Sequence, residues 1–209
     1  MDHIALDIET IPLETDPDFD DPSHWTVFAV ALGHKAPDSD LVVDVLFRDS
    51  VHFNAERDLI NRMIDWVADR TNGEARTLIT YNGDSYDFPI LRHRTCVLDD
   101  EFPDSNVAER LCMMLETSMH TDLIQSMKDR KGYYVSLEDS LEEFDISYDE
   151  PEWLGSTVTG ADMPSMGLEV ISGRANPELR ETVYSYAASD VKPLFQLHQS
   201  LNERQCMSR

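Results

Sequence analysis

The sequence predicts an α/β domain built on a mixed central β-sheet, and three observations carry that expectation. Three apolar, β-branched runs precede any helical pattern, joined by turn-rich connections. A helix, a fourth strand and a second helix follow in that order. The C-terminal half is largely helical in pattern. Three strands, helix, strand, helix is not a repeat of βαβ units, so the first three strands should be antiparallel within a mixed sheet.

Each element has a local reason. Residues 3–9 form an apolar strand pattern, and the acidic connection at 14–25 carries two prolines. "TVFAVALGH" (26–34) and "LVVDVLFRD" (41–49) are strands separated by the turn "KAPDSD". In the helix at 54–73, Asn54 is the expected cap and Gly73 the expected terminator. Leu59, Ile60, Met63, Ile64 and Val67 form its apolar stripe. "ARTLITYNG" (75–83) is the fourth strand, and a helix from Asp87 to Cys96 tolerates Pro89 in its first turn. Residues 106–119, 120–127 and 136–146 are expected to be helical, the last with Ser136 and Asp139 in a capping arrangement. A loop is expected at 149–164, then helix from Pro177 to about Glu203, kinked or restarted by Pro193.

Composition narrows the class. The 209 residues suit one domain, spanning 1–209, and 41% apolar content excludes a disordered chain. The net charge is −24, from 41 acids against 17 bases. Only four of those bases are lysines: Lys35, Lys128, Lys131 and Lys192. This Lys-poor, Asp-rich balance is similar to that of cytoplasmic proteins of salt-loving archaea. Such a surface argues against long-range attraction of phosphates, although in molar salt screening shrinks to about 3 Å and steering by charge disappears anyway. Cys96, Cys112 and Cys206 are odd in number and lack CxxC spacing, as expected of buried or incidental thiols in a reducing compartment. No apolar run reaches membrane-spanning length and no leader pattern opens the chain, so a cytoplasmic location and no membrane partner are expected.

The chemistry must lie among the acids. Asp7 and Glu9 in "HIALDIETIP" share one face of the first strand, since strands alternate with period two. Chance alone gives roughly two D-x-E triplets in so acidic a chain. The strand is what makes the pair notable, because two carboxylates on a half-buried surface want a cation. Asp87, in "TYNGDSYDFPIL", opens a helix, where N-capping is an equal explanation. Tyr186 and Asp190 lie four apart in "YSYAASDVKPLF" and share a helical face.

Each signal is weak by itself; together they form an ordered set. With Asp7-x-Glu9, then Asn82, Tyr86 and Asp87, then Tyr186-x-x-x-Asp190, the chain resembles the DEDD 3′–5′ exonucleases of the ribonuclease H-like fold. Ser185 stands where the histidine subclass would carry His, so the resemblance is to the tyrosine subclass. "HTDLIQSM", "SLEDSLEEFDI" and "YAASDVKPLFQL" extend it to stand-alone exonucleases related to the proofreading domain of family-B DNA polymerases. The acidic 14–25 loop and the 97–119 region depart from that pattern. The resemblance implies two divalent ions, Mg²⁺ or Mn²⁺, on Asp7, Glu9, Asp87 and Asp190. Asp7 would bridge both, Glu9 and Asp190 would complete the site of the attacking water, and Asp87 would hold the second ion. Tyr186 would orient that water, and Thr10, Ile11, Asn82 and Tyr86 would contact substrate. The implied partner is nucleic acid with a free 3′ end, DNA favoured over RNA, cut to nucleoside 5′-monophosphates. A non-catalytic nucleic-acid-binding domain and an exoribonuclease are the alternatives.

Secondary candidates have simpler explanations. Asp122 fits a helix cap, and His3, His93 and His120 fit surface or packing positions. Arg92 and Arg94 follow Asp87 on its helix and are candidates for phosphate contact, against a solvated face. The Met-rich "CMMLETSM" fits core packing.

Screening of carboxylate repulsion by salt gives the first prediction: the melting temperature should rise from low to molar KCl. A flat thermal-denaturation series would contradict the salt-adapted surface.

Overall fold

Strand β1 (Asp2–Pro12) sets the architecture, because its alternating side chains enter two separate cores. Ile4, Leu6 and Ile8 face one, and Ala5 faces the other. The computed structural model describes residues 2–37, 39–71 and 74–207. Within them, β1 is the centre of a five-stranded sheet ordered β3-β2-β1-β4-β5. The partners are β2 (Trp25–Lys35), β3 (Val42–Phe47), β4 (Arg76–Thr80) and β5 (Ser118–Asp122). β1, β2 and β3 pair antiparallel, while β4 pairs parallel with both β1 and β5. The sheet is therefore mixed, as the order of elements predicts.

Helices cover both faces. α1 (Phe53–Thr71), α2 (Asp87–Glu101) and α3 (Val107–Glu116) pack over Ile4, Leu6, Ile8, Val30 and Leu32. The whole expected stripe of α1 is buried there. On the other face, α4 (Leu123–Lys131), α6 (Met163–Ile171), α7 (Pro177–Val191) and α8 (Leu194–Met207) close over Ala5, Ala29, Ala31 and Ile79. Small strand residues let these helices approach closely. A side chain at Gly167 would put its Cβ 2.5 Å from the Phe28 ring, so α6 packs here only through glycine.

One buried charge group ties the first face together. Glu56 is fully buried on α1 and accepts from Arg94 Nε at 2.9 Å and Arg94 Nη2 at 2.7 Å. It also accepts from the Val27 backbone N–H at 2.9 Å, and Arg48 Nη1 lies 3.7 Å away. Helices α1 and α2 and strand β2 are thus linked through a single carboxylate.

Several expected elements need correction. Residues 118–122 form strand β5, where helix is expected on both sides of residue 120. "SMHTD" carries little β-branched signal, and parallel pairing with β4 decides its conformation. Helix α4 begins only at Leu123. α6 is an additional helix, with Met163, Met166, Gly167, Val170 and Ile171 on its buried face. The expected loop at 149–164 holds a short hairpin, β6 (Glu152–Trp153) with β7 (Ser156–Thr157), and the first residues of α6. Of the Met-rich stretch, Met114 is buried, whereas Met113 and Met119 are exposed. Cys96 and Cys112 are free and exposed, hence incidental thiols. The expected terminator Gly73 lies outside the described residues. Other details hold: α5 (Leu137–Glu143) is capped by Ser136, which accepts from the Asp139 N–H at 3.1 Å, and the C-terminal helix breaks at Pro193.

Breaking a buried ion pair on one side leaves an uncompensated charge and costs about 3–5 kcal/mol. Glu56→Gln should therefore lower the unfolding free energy by about that amount in a urea titration, because Arg48 and Arg94 both stay buried without their carboxylate.

Candidate active site

The candidate site starts from the register of β1. Asp7 pairs with Ala31 and Glu9 with Ala29, so both carboxylates leave the sheet on the α7 face with only alanine methyl groups opposite them on β2. That absence of bulk is the room the acids need. A β-bulge lies at this point: Glu9 pairs with Ala29 but Thr10 with Val27, leaving Phe28 as the extra residue of β2. Bulges turn a strand locally and are common beside active sites.

Asp87 arrives from the end of β4. The chain leaves β4 through Tyr81-Asn82-Gly83, with Asn82 in the left-handed region at φ 69°. A Cβ at Gly83 would lie 2.4 Å from Thr80 Oγ1, so the turn requires glycine. Asp122, at the end of β5, accepts from the backbone N–H of Asn82 at 2.7 Å and of Asp84 at 3.0 Å. It also caps α4 through the Ile124 N–H. Asp122 is therefore a structural residue that holds the turn. Asp87 itself does not cap α2; the backbone N–H of Ile8 on β1 donates to its carboxylate.

Helix α7 delivers the last pair. Asn176 caps it, accepting from the Leu179 N–H at 2.8 Å. Tyr186 and Asp190 lie one turn apart near its end, and Pro193 separates it from α8. Asp190 occupies the last turn, where the helix dipole disfavours a carboxylate. It lies there all the same, with its ligand oxygen and those of Asp7 and Glu9 all within 4.8 Å of one another.

The electrostatics follow from that crowding. Burial pushes Asp7 up to about 7. Glu9 is held well above the carboxylate range by burial and by the charges of Asp7, Asp190 and Asp87. Burial and the charge of Asp7 do the same to Asp87 and Asp190. Burial keeps Tyr186 a neutral phenol, reinforced by Asp190, Glu9 and Asp7. A divalent cation fits this donor set. Glu9 Oε1 is buried with no hydrogen-bond partner, and hard cations take carboxylate oxygens.

The other predicted residues fall into two groups. Thr10 and Tyr86 bond to each other, Oγ1 to phenolic oxygen at 2.8 Å, across the step from β1 to α2. Ile11 packs at the edge of the core, and Asn82 shapes the turn. Arg94 is withdrawn from any phosphate by its buried pairing with Glu56, whereas Arg92 is exposed. His120 is held by Thr80, whose Oγ1 lies 2.9 Å from its Nε2, by Asp84, whose carboxylate lies 3.4 Å from its Nδ1, and by the Phe88 ring in edge-to-face contact.

Two neighbours are not evident from sequence. Glu138, in the first turn of α5, adds its charge to Asp190 and Tyr186. Phe19 stands 67% exposed in the acidic 14–25 loop, with its ring centroid 4.9 Å from that of Trp25 and 6.1 Å from that of Tyr86. The serine cap before Glu138 and an apolar aromatic amid the acids of the 14–25 loop are the signals that mark them.

Fold and site together define the class. Residues 4–202 match the family profile described as the RNase_H superfamily, and the chain belongs to that superfamily. Its fold is the α/β ribonuclease H-like one. Among solved structures, it is similar to the family B DNA polymerase of the hyperthermophilic archaeon Pyrobaculum calidifontis, at 18% identity and TM-score 0.60, over 96% of this chain and 24% of the polymerase. Exonuclease I in complex with the inhibitor BCBP matches at 11% identity and TM-score 0.52, over 99% of this chain and 42% of that one. E. coli exonuclease I with a dT13 oligonucleotide matches at 12% identity and TM-score 0.50, again over 99% and 42%. At these identities the likeness is one of fold, and the chain spans less than half of each of these proteins. No curated protein matches significantly.

The raised carboxylates give a pH prediction whose sign follows from linkage. A carboxylate raised in the folded state binds protons that the unfolded chain has released. Its stabilising effect is complete below about 4 and is lost as pH rises through about 7 for Asp7. Metal-free protein should therefore lose melting temperature across that window, and Asp7→Asn should lose less. A scan in EDTA checks the difference, and added Mn²⁺ should recover wild-type stability at alkaline pH.

Proposed function

We propose that this chain is a metal-dependent 3′–5′ exonuclease of the tyrosine-bearing DEDD class, acting on single-stranded DNA and releasing nucleoside 5′-monophosphates. The observation that carries this reading is the convergence of Asp7, Glu9 and Asp190 within 4.8 Å, with buried Asp87 raising Glu9 from the next segment. An acid cluster so unfavourable by itself has a physical purpose as a cation site.

In this reading Asp7, Glu9 and Asp190 would hold one ion, and Asp7 with Asp87 a second. Two Mg²⁺ or Mn²⁺ ions there would supply an activated water and neutralise charge on the phosphate and the departing 3′ oxygen. The chain's own groups do the rest. Tyr186, kept protonated by its surroundings, offers a phenolic O–H one turn from Asp190 and orients the water without acting as a phenolate base. Ile8 N–H fixes the Asp87 carboxylate, and Asp122 fixes the turn that precedes it. Thr10 and Tyr86, tied to each other, would contact the terminal nucleotide, together with Ile11 at the edge of the opposite core and Asn82 at the turn. The fold likeness to E. coli exonuclease I, solved with a dT13 oligonucleotide, supports single-stranded DNA as substrate.

A time course on 5′-labelled DNA and RNA oligomers with Mn²⁺ in molar KCl tests this reading. The expected result is a 3′-to-5′ ladder on DNA; a ladder on RNA alone would make the chain an exoribonuclease, and no ladder on either would refute nuclease function. Asp7→Ala should abolish digestion. Tyr186→Phe should slow it by ~10²-fold or more while leaving Mn²⁺ affinity nearly unchanged in a titration.

A further inference from the structure

Lysine is scarce in this chain, and its distribution is uneven: Lys128 and Lys131 fall in one short tract, "KDRKGYY", together with Arg130 and two tyrosines. The tract closes α4. Gly132 takes the left-handed conformation at φ 79° and ends the helix, and the chain then turns back toward the sheet. Tyr133 and Tyr134 follow, 62% and 60% exposed, where large aromatic side chains are normally covered. Lys128 Nζ lies 5.6 Å from the centroid of the Tyr134 ring. Arg130 and Lys131 are both engaged by Glu143, at 3.0 and 2.8 Å. Lys128 has no ion-pair partner among the described residues.

The tract is anchored to the acidic cleft at both ends. Just beyond Tyr134, the carbonyls of Val135 and Ser136 accept from the Tyr81 hydroxyl at 2.7 and 2.9 Å, and Tyr81 directly precedes the Asn82 turn. Ser136 then caps α5, whose first turn places Glu138 against Asp190 and Tyr186. At its other end, α4 springs from Asp122, the residue that holds the Asn82 turn.

We propose that Lys128, Tyr133 and Tyr134 form a docking tract for the body of a single-stranded nucleic acid whose 3′ end lies in the acidic cleft. The inference rests on the exonuclease reading and adds to it the path of the substrate. Exposed rings stack on any base and need no particular sequence. Stacking also survives salt that would screen phosphate contacts, which suits a chain of net charge −24. The Lys128 ammonium beside the rings, with no ion-pair partner among the described residues, provides a short-range phosphate contact.

Steady-state hydrolysis of a deoxy-dodecanucleotide and of a dinucleotide, both with Mn²⁺, tests the proposal. Tyr133→Ala combined with Tyr134→Ala should raise KM for the dodecanucleotide about tenfold or more, as expected for lost base stacking. It should leave dinucleotide kcat/KM unchanged, and the Phe pair at both positions should retain wild-type KM. Lys128→Gln should weaken dodecanucleotide binding at low KCl and have little effect in molar KCl. An unchanged dodecanucleotide KM in the alanine variant, or an equal loss on both substrates, overturns the tract and leaves the exonuclease reading intact. A wild-type chain that hydrolyses neither substrate overturns both together.

Discussion

Mutual repulsion among clustered, partly to fully buried carboxylates is the constraint on which the structure turns. Asp7, Glu9 and Asp190 would each be more stable apart, and Asp87 adds its charge to theirs. Three chain segments are therefore held in an unfavourable arrangement by interactions that lie elsewhere. Hydrophobic burial on both faces of the sheet provides most of the holding force. The Glu56 group adds a polar tie between α1, α2 and β2 on the face opposite the acids.

The geometry that satisfies this constraint is simple. A central strand gives two acids one face, and alanines across from them keep that face open. A parallel neighbour ends in a tight Asn-Gly turn, so the next helix starts beside the acids and brings Asp87. Helix α7 stops at the proline break just past Asp190, which leaves that carboxylate at the helix end instead of along a packed helical face. Asp122 shows how a further acid near the cluster can be entirely structural, since both its oxygens accept backbone N–H groups.

The acidic surface shapes recognition as well. For the nucleic-acid substrate proposed above, long-range attraction is denied by a net charge of −24, so affinity would have to come from contacts at short range. The cleft has clustered carboxylate oxygens, and exposed rings stand elsewhere on the surface: Phe19 beside Tyr86, and the tyrosine pair after α4 proposed above as a docking tract. Stacking and metal coordination are the two interactions that a salt-screened environment weakens least.

Much of this was legible in the sequence because it depends on local rules. Period-two alternation put Asp7 and Glu9 on one face, the apolar stripe defined α1, and the four-residue spacing put Tyr186 beside Asp190. Pro193 marked the break before α8, and Asn-Gly marked the turn before α2. Strand β5 and helix α6 were not legible, since "SMHTD" becomes a strand only by pairing with β4, and α6 is hidden behind a glycine that must meet Phe28. Arg94 could not be sorted from Arg92 along one helix; only the position of Glu56 across the core separates a buried ion-pair partner from a surface charge. Sequence alone thus determined which acids share a face, because backbone periodicity is a local property. Only the tertiary structure decided which of them meet, because the distance between Glu9 and Asp190 is set by how α7 packs across β1 and β2, strands that lie far from it in the chain.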